Sequence, residues 1–251
     1  MSGIMLHCGA EAITRDELAA LPVAHPKGTR HAIRPFIEDA NMIEQLLQDV
    51  GMPVSAESYG VTKDEDGVPK QFFGLLEVEE GDGRDHGVMV GVRGSYDQTL
   101  SRGIAIGSRV FVCDNLCFSG EIEMKTKQTL DIDSRIYGLL KEAINEAPYM
   151  VEKQDGRFKR YRDAVIGQIA GDSLLTDMVR KGVLNASQIG RALKDWDEPS
   201  HEEHAEDGWS LWRLHNAVTE ALKPTNPNAN ALRLNWGRTI GMTQILDGVV
   251  T

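Results

Sequence analysis

The sequence predicts an α+β fold, because its hydrophobic pattern changes once along the chain. Between residues 54 and 125 the chain consists of short β-prone segments separated by turn residues. After Thr126 the apolar residues recur at helical spacing instead. Strands that come first and helices that come afterwards are typical of the α+β class. We expect an antiparallel sheet, about residues 54–125, packed against the helices that follow it.

Two helices are predicted ahead of the sheet. The residues Thr14 to Glu17 fit a capping box, with Leu18 as the first buried position. A second helix is expected to begin at Asp39, whose carboxylate can accept the free amides of the first turn, and to end at Gly51. Its apolar positions fall at helical spacing: Met42, Ile43, Leu46, Leu47 and Val50.

Five consecutive strands are predicted for the sheet. Residues 54–62 and 71–78 form a hairpin across a turn at 63–67, and a second turn at 80–83 leads into the strand 86–94. The last pair, 109–113 and 116–125, is joined at Asp114-Asn115. Strands linked by such short turns pair in antiparallel fashion.

The helical part begins with a long apolar stripe that includes Ile136, Leu140 and Ile144, and a second stripe containing Phe158, Tyr161, Val165 and Ile169 is expected beyond an interruption at Gly156. Shorter helices are predicted at 172–181, 187–196 and 209–223, with a polar loop at 198–208. We therefore expect a single domain over 1–223, sheet-rich over 1–126 and helical over 127–223. Residues 224–251 are expected to form a Pro/Asn linker and a C-terminal tail.

Composition restricts the classes of function. The chain has 38 acidic and 27 basic residues, a formal charge of −11, which opposes a duplex binder with a whole basic face but leaves room for a local basic channel. Three scattered cysteines cannot form a disulfide framework and suit a reducing compartment. No apolar run approaches the ~20 residues of a membrane span, and no signal peptide is evident. We expect a cytoplasmic protein without a membrane partner.

One stretch of the sequence carries a resemblance to a known family. Val92-Arg93-Gly94-Ser95-Tyr96-Asp97 is followed by Val110-Phe111-Val112-Cys113-Asp114-Asn115-Leu116-Cys117-Phe118-Ser119-Gly120. These segments resemble a phage- and plasmid-encoded family of a domain of unknown function, whose members carry a "VFVCDN…FSG" strand. Further likeness lies in Met5 to Ala10, Phe73 to Leu76, and Asp195-Trp196 through Leu211 to Lys223. The resemblance implies a mobile-element protein in a bacterial host, and it supplies no activity.

Metal and nucleotide sites are not favoured. Cys113 and Cys117 could join His7 or His86, but a structural zinc site usually needs two close pairs of soft ligands. His201 and His204, with His215 downstream, lack the spacing of the zinc protease helix. No glycine-rich phosphate motif is present, and no nucleophile and base can be paired by spacing. The sequence predicts no metal, no cofactor and no catalytic residue, and it favours a non-enzymatic protein over the alternative of an enzyme whose site is assembled only in space.

Two sets of basic residues point to nucleic acid. A strand-borne set could line a groove beside Tyr96 and Phe118, and a helix-borne set is interleaved with Phe158 and Tyr161. Binders of single strands combine basic grooves with aromatic platforms. The candidate residues are Arg93, Arg102, Arg109, Lys125, Lys127, Arg157, Lys159 and Arg160. The competing interpretation makes Phe158, Tyr161 and Val165 a core stripe and the cations beside them an ordinary solvated face.

A weaker alternative is a helix-turn-helix formed by 172–181 and 187–194, with Ser187, Gln188, Arg191 and Lys194 facing outward. Taken together, the residues favour an accessory protein of DNA metabolism that binds single-stranded DNA during replication or recombination, as a homo-oligomer. The alternative function is an acidic, protein-binding inhibitor of a host anti-phage defence system.

Overall fold

The computed structural model describes residues 10–25, 30–78, 86–110, 115–117, 123–126, 131–223 and 229–250. At residues 86, 108–110, 115–117, 123–126, 134, 151 and 229–236 it describes the backbone alone. The strands in this part of the chain are β1 (Glu11–Ile13), β2 (Val54–Lys63), β3 (Pro69–Val78), β4 (His86–Ser95), β5 (Arg102–Val110), β6 (Asn115–Cys117) and β7 (Glu123–Thr126). The helices are α1 (Arg15–Ala20), α2 (Phe36–Asp49), α3 (Ile132–Asp163), α4 (Gln168–Arg180), α5 (Ala186–Asp197), α6 (Glu202–Glu206), α7 (Leu211–Leu222) and α8 (Ala229–Asp247).

The described strands form one antiparallel sheet in the order β1-β2-β3-β4-β5-β6, and β7 also pairs with β5. Since β4 runs along one edge of β5, β6 and β7 share the other edge, at opposite ends of that strand. The α+β class and the antiparallel sheet packed against helices are confirmed. The hairpin turn between β2 and β3 also forms as predicted: Asp64 accepts from the amides of Asp66 and Val68, and Gly67 takes a positive φ of 79°.

Several element boundaries differ from the predictions. The strand expected from residue 109 begins at Arg102, and the short strand β1 was not predicted. The single strand expected over 116–125 is described as β6 and β7, with 118–122 outside the described residues. The turn at 80–83 and residues Cys113 and Asp114 also lie outside them.

The two N-terminal helices are present, with one correction. Thr14 and Glu17 form the reciprocal hydrogen bonds of the capping box, and Leu18 is buried. Asp39 is not the N-cap of α2, because the helix begins at Phe36 and its N-cap, Pro35, makes no side-chain capping bond. The carboxylate of Asp39 points into the protein instead, where it forms ion pairs with arginine side chains.

The sheet packs on one face against α1, α2 and the first half of α3. This sheet cluster contains Tyr59, Phe72 and Val90 from the strands, Phe36 and Ile43 from α2, and the predicted apolar residues of the first half of α3. Among these α3 residues Ile136 is 5%, Leu140 3% and Ile144 1% exposed, so the predicted packing is confirmed.

A second cluster, the helical cluster, joins the second half of α3 to α4, α5, α7 and α8. Phe158 and Tyr161 are fully buried in it. The predicted interruption at Gly156 is wrong, because α3 continues through both Pro148 and Gly156 to Asp163. Since the helix ends at Asp163, Val165 does not belong to the predicted apolar stripe and is 76% exposed.

Two segments expected to lack regular structure contain helices. The short helix α6 lies within the predicted polar loop at 198–208. In the segment expected to form a linker and tail, α8 buries Met242 and Leu246 in the helical cluster. This part of residues 224–251 therefore belongs to the folded body.

Replacing Leu140 by Asp should unfold the protein or cost more than ~3 kcal/mol, because it places an unpaired carboxylate between α3 and the sheet. The next residue, Lys141, is exposed on the same helix and lies over the face of the exposed Tyr137 ring, so Lys141→Asp serves as the control, with an expected change of about 1 kcal/mol or less. Urea denaturation followed by circular dichroism measures both. Equal stability of the two variants would contradict the packing.

Gly171 in α4 is required by a close contact. A Cβ atom at this position would lie 2.3 Å from Cζ2 of the buried Trp196 ring, so Gly171→Ala should destabilise the protein by about 1–3 kcal/mol. Gly190 in α5 has open space around the corresponding position, and Gly190→Ala should stabilise by about 0.5–1 kcal/mol through helix propensity. Opposite signs in the thermal unfolding of these two variants are the expected result. A neutral Gly171→Ala would show that the Trp196 ring can move away.

Candidate nucleic-acid interface

Arg102, the first residue of β5, is buried on the sheet face that α2 covers. Its side chain is 1% exposed. A Cβ atom at Gly94 on the neighbouring strand would lie 3.2 Å from Cγ of Arg102. Because Gly94 has no side chain, the aliphatic part of the Arg102 side chain fits beside it. The guanidinium group extends further inward, to α2.

The guanidinium of Arg102 is neutralised inside the protein. Its Nη1 atom forms an ion pair with Oδ2 of Asp39, and its Nη2 atom donates to the carbonyl of Arg34. The other carboxylate oxygen of Asp39 accepts from Nε of Arg34 at 3.0 Å, and Arg34 in turn reaches Asp133 at the start of α3 at 2.8 Å. Complete burial raises the pKa of the Asp39 carboxyl, while Arg102 and Arg34 act in the opposite direction. This cluster joins the ends of β5, α2 and α3.

Arg93 is also buried, at 6% exposure, on β4. Together with Asp39 and Arg102 it lines a small cavity whose other walls include Ile136 and Leu140 of α3. The prediction that Arg93 and Arg102 line a surface groove is therefore wrong. The sequence pattern showed basic residues on strands but could not show that helices cover that end of the sheet.

The remaining members of the strand-borne set are Arg109, Lys125 and Lys127. Arg109 lies on β5 and Lys125 on β7, with side chains outside the described residues, and Lys127 lies outside them entirely. Of the two aromatic residues expected beside them, Tyr96 is buried and stacks on Phe36 with ring centroids 3.9 Å apart. Tyr96 is thus part of the core, and Phe118 is outside the described residues.

In the helix-borne set, Arg157 is also buried. Its exposure is 4%, and its Nε atom donates to both carboxylate oxygens of Asp247 in α8, at 3.0 and 3.1 Å. The hydroxyl of Tyr161 donates to the same carboxylate at 2.8 Å. The predicted exposure of Arg157 is wrong because its partner comes from a helix that the sequence pattern did not predict. The core-stripe interpretation is correct for Phe158 and Tyr161.

Lys159 and Arg160 are exposed, as predicted. Arg160 belongs to a line of residues along one exposed face of α3, spaced by four, three and four positions. We define the α3 stripe as Tyr149, Lys153, Gly156 and Arg160, with Lys159 beside it. Nη1 of Arg160 lies 3.7 Å from the position of a Cβ atom on Gly156. The arginine therefore extends along the helix across the glycine.

Tyr149 is the member of the stripe that the sequence reasoning missed. Its side chain is 65% exposed, the largest exposed aromatic fraction among the described residues. The signal was available, because Tyr149 and Lys153 are four residues apart. Extending this line to Arg160 requires the helix to continue through Gly156, where the sequence pattern predicted an interruption.

The histidines are brought together, although not as a metal centre. His204 is buried, and its Nδ1 lies 3.3 Å from a carboxylate oxygen of Asp207. Its ring contacts Trp212, against which His215 stacks. His204 is thus buried although it lies within the segment predicted as a polar loop. Within the described residues there is no group of three histidine, cysteine or acidic side chains that could hold a metal ion.

The predicted helix-turn-helix pair is present as α4 and α5, but its outward face is only partly as expected. Gln188 is 6% exposed and accepts a hydrogen bond from Arg238 of α8 at 3.3 Å. Arg191 donates to the carbonyl of Lys223 at the end of α7. Ser187 and Lys194 are exposed. Two of the four expected contact residues are therefore engaged in packing between helices.

Comparisons with protein-family models, with curated proteins and with solved structures find no match to this chain. Among the described residues, no helix has the length and apolar content needed to cross a membrane.

Arg102 and Asp39 should be energetically coupled. Arg102→Met leaves the buried carboxylate with Arg34 alone, and Asp39→Asn leaves a buried guanidinium without its counter-ion, so each change should cost about 3–5 kcal/mol. The double variant should cost clearly less than the sum of the two. Urea denaturation of the wild type, the two single variants and the double variant gives the coupling free energy between the two residues.

The control is Arg135→Met. Arg135 forms an i,i+4 pair with Asp131 at the more exposed start of α3, and its removal should change stability by less than about 1 kcal/mol. Additive costs for Arg102→Met and Asp39→Asn would contradict the coupling.

Proposed function

We propose that this protein is a non-enzymatic accessory of phage or plasmid DNA metabolism that binds single-stranded DNA during replication or recombination, as a homo-oligomer in the bacterial cytoplasm. The observation that carries the proposal is the α3 stripe. It places the exposed ring of Tyr149 on the same helix face as the cations Lys153 and Arg160, with Lys159 beside them. The sequence resemblance to a phage and plasmid family supports the genomic setting.

The chemistry of the stripe suits a single strand. Lysine and arginine neutralise backbone phosphates, and an aromatic face stacks on an unpaired base of any identity. Glu152 and Asp163 are exposed on the same side of the helix, so the positive field is local. In a chain of charge −11 the binding should therefore be sensitive to salt and confined to a short segment of strand.

The alternative, an acidic inhibitor of a host defence protein, is favoured by a different observation. Three arginines are buried and make their polar contacts inside the protein. Arg102 pairs with Asp39, and Arg157 pairs with Asp247. Arg213 donates to the carbonyls of Trp196 and Asp197 at the end of α5. Because Arg102 and Arg157 are each buried with an acidic partner, the surface presents fewer cations and keeps the acidic excess of the whole chain. Such a surface complements a basic partner.

The DNA-binding proposal predicts a specific effect of Lys159→Glu/Arg160→Glu. The wild-type log affinity for a labelled single-stranded oligonucleotide should fall with log salt, with a slope of about −0.7 per neutralised phosphate. Loss of two cations should flatten this slope by about 1.4 and weaken binding at low salt. Fluorescence anisotropy measures the affinity, and urea denaturation should show unchanged stability because both residues are exposed. Arg157 is left intact since it is buried.

Arg180→Glu/Lys194→Glu is the matched control, because it makes the same change in net charge on the exposed surfaces of α4 and α5. This variant should bind much more tightly than the stripe variant. A greater loss in the control would move the interface to the α4–α5 pair. No wild-type binding at micromolar protein and low salt would contradict the proposal and leave the inhibitor of a host protein as the function to pursue.

A further inference from the structure

We propose that Tyr149 is a stacking platform for an unpaired nucleobase, so that the α3 stripe selects single-stranded over duplex DNA. This inference rests on the proposed function, and it names the nucleobase as the part of the DNA that Tyr149 recognises. Basic residues alone attract any phosphate chain, whether single-stranded or duplex. An aromatic face that is open to solvent contacts only a base that has left its own stack.

The backbone that carries Tyr149 is anchored in the core. The nearby residues Ala147 and Met150 are buried in the sheet cluster, at 0% and 9% exposure, so the backbone on both sides of the tyrosine is anchored. Tyr149 itself is 65% exposed. A platform on an anchored helix loses little conformational freedom when a ligand stacks on it.

The face of the ring is open. In the part of the chain that the structure describes, no aromatic ring or cation stacks on Tyr149. The other exposed tyrosine of α3 differs in this respect, because Nζ of Lys141 lies 5.9 Å from the centroid of the Tyr137 ring. Tyr137 therefore has an intramolecular partner, and it provides a matched comparison on the same helix.

The cations of the stripe lie at distances that fit a strand on the ring. Lys153 is one turn from Tyr149, about 6 Å along the helix axis, and Arg160 is about 16 Å away. A base stacked on Tyr149 would thus leave the following phosphates of its strand above Lys153 and towards Arg160. The stripe supplies one aromatic contact followed by charge contacts, and none of these groups distinguishes one base from another.

The test compares Tyr149→Ala, Tyr149→Phe and Tyr137→Ala by fluorescence anisotropy. The probes are a labelled oligothymidylate, an abasic deoxyribose-phosphate strand of the same length, and a duplex. Tyr149→Ala should weaken binding to oligothymidylate roughly 5- to 150-fold, the loss expected for one stacked base. Tyr149→Phe keeps the ring and should bind like the wild type, as should Tyr137→Ala.

The abasic strand shows whether the effect is stacking. Wild-type protein should prefer oligothymidylate to the abasic strand by a similar factor, and Tyr149→Ala should bind the two equally. If Tyr149→Ala retains wild-type affinity while Lys159→Glu/Arg160→Glu loses it, the stacking role is overturned and the proposed function stands. If the duplex binds as tightly as oligothymidylate, strand selection is overturned. If no single strand binds the wild type, both proposals fail together.

Discussion

The continuity of α3 is the constraint on which both halves of the molecule depend. Pro148 and Gly156 disfavour a helix interior by about 3 and 1 kcal/mol. Each large apolar side chain that becomes fully buried contributes about 1.5–3 kcal/mol. The helix buries such side chains on both sides of these residues, in the sheet cluster through Ile144 and in the helical cluster through Phe158. Burial therefore outweighs the local preference for a break, and the outward face of the helix is held in a fixed direction.

Buried ion pairs explain why the positions of basic residues in this sequence are a poor guide to the cations on its surface. Arg102 reaches Asp39 across 63 positions of the chain, and Arg157 reaches Asp247 across 90. Once two arginines are neutralised in this way, the exposed cations that remain on α3 stand among acidic neighbours. A ligand of the stripe would therefore be held by a few close contacts, and long-range attraction would contribute little.

Local patterns predicted the fold well and the candidate site poorly, for a physical reason. The capping box at Thr14 and the burial of Leu140 depend on spacing within a few residues, and the sequence displays such spacing directly. The burial of Arg157 depends on a carboxylate in α8, and that of Arg102 on α2. The α3 stripe was missed at Tyr149 because it forms one line only if the helix continues through Gly156. Burial in the sheet cluster and in the helical cluster explains that continuity, and neither cluster is visible in the local sequence. Burial of charge is a tertiary property, whereas helical and strand periodicity are local ones.

The division of α3 between two clusters has a consequence for the order in which the chain folds during synthesis. Every described member of the sheet cluster lies between Leu18 and Met150, whereas the helical cluster needs Leu246 of α8. The sheet layer can therefore close while the rest of the chain is still being translated, since folding proceeds from the N-terminal side. The second half of α3 would then extend from the sheet cluster as a nucleus for the later helices, while the opposite face of the sheet waits for Ile240 of α8 and Arg157 waits for Asp247.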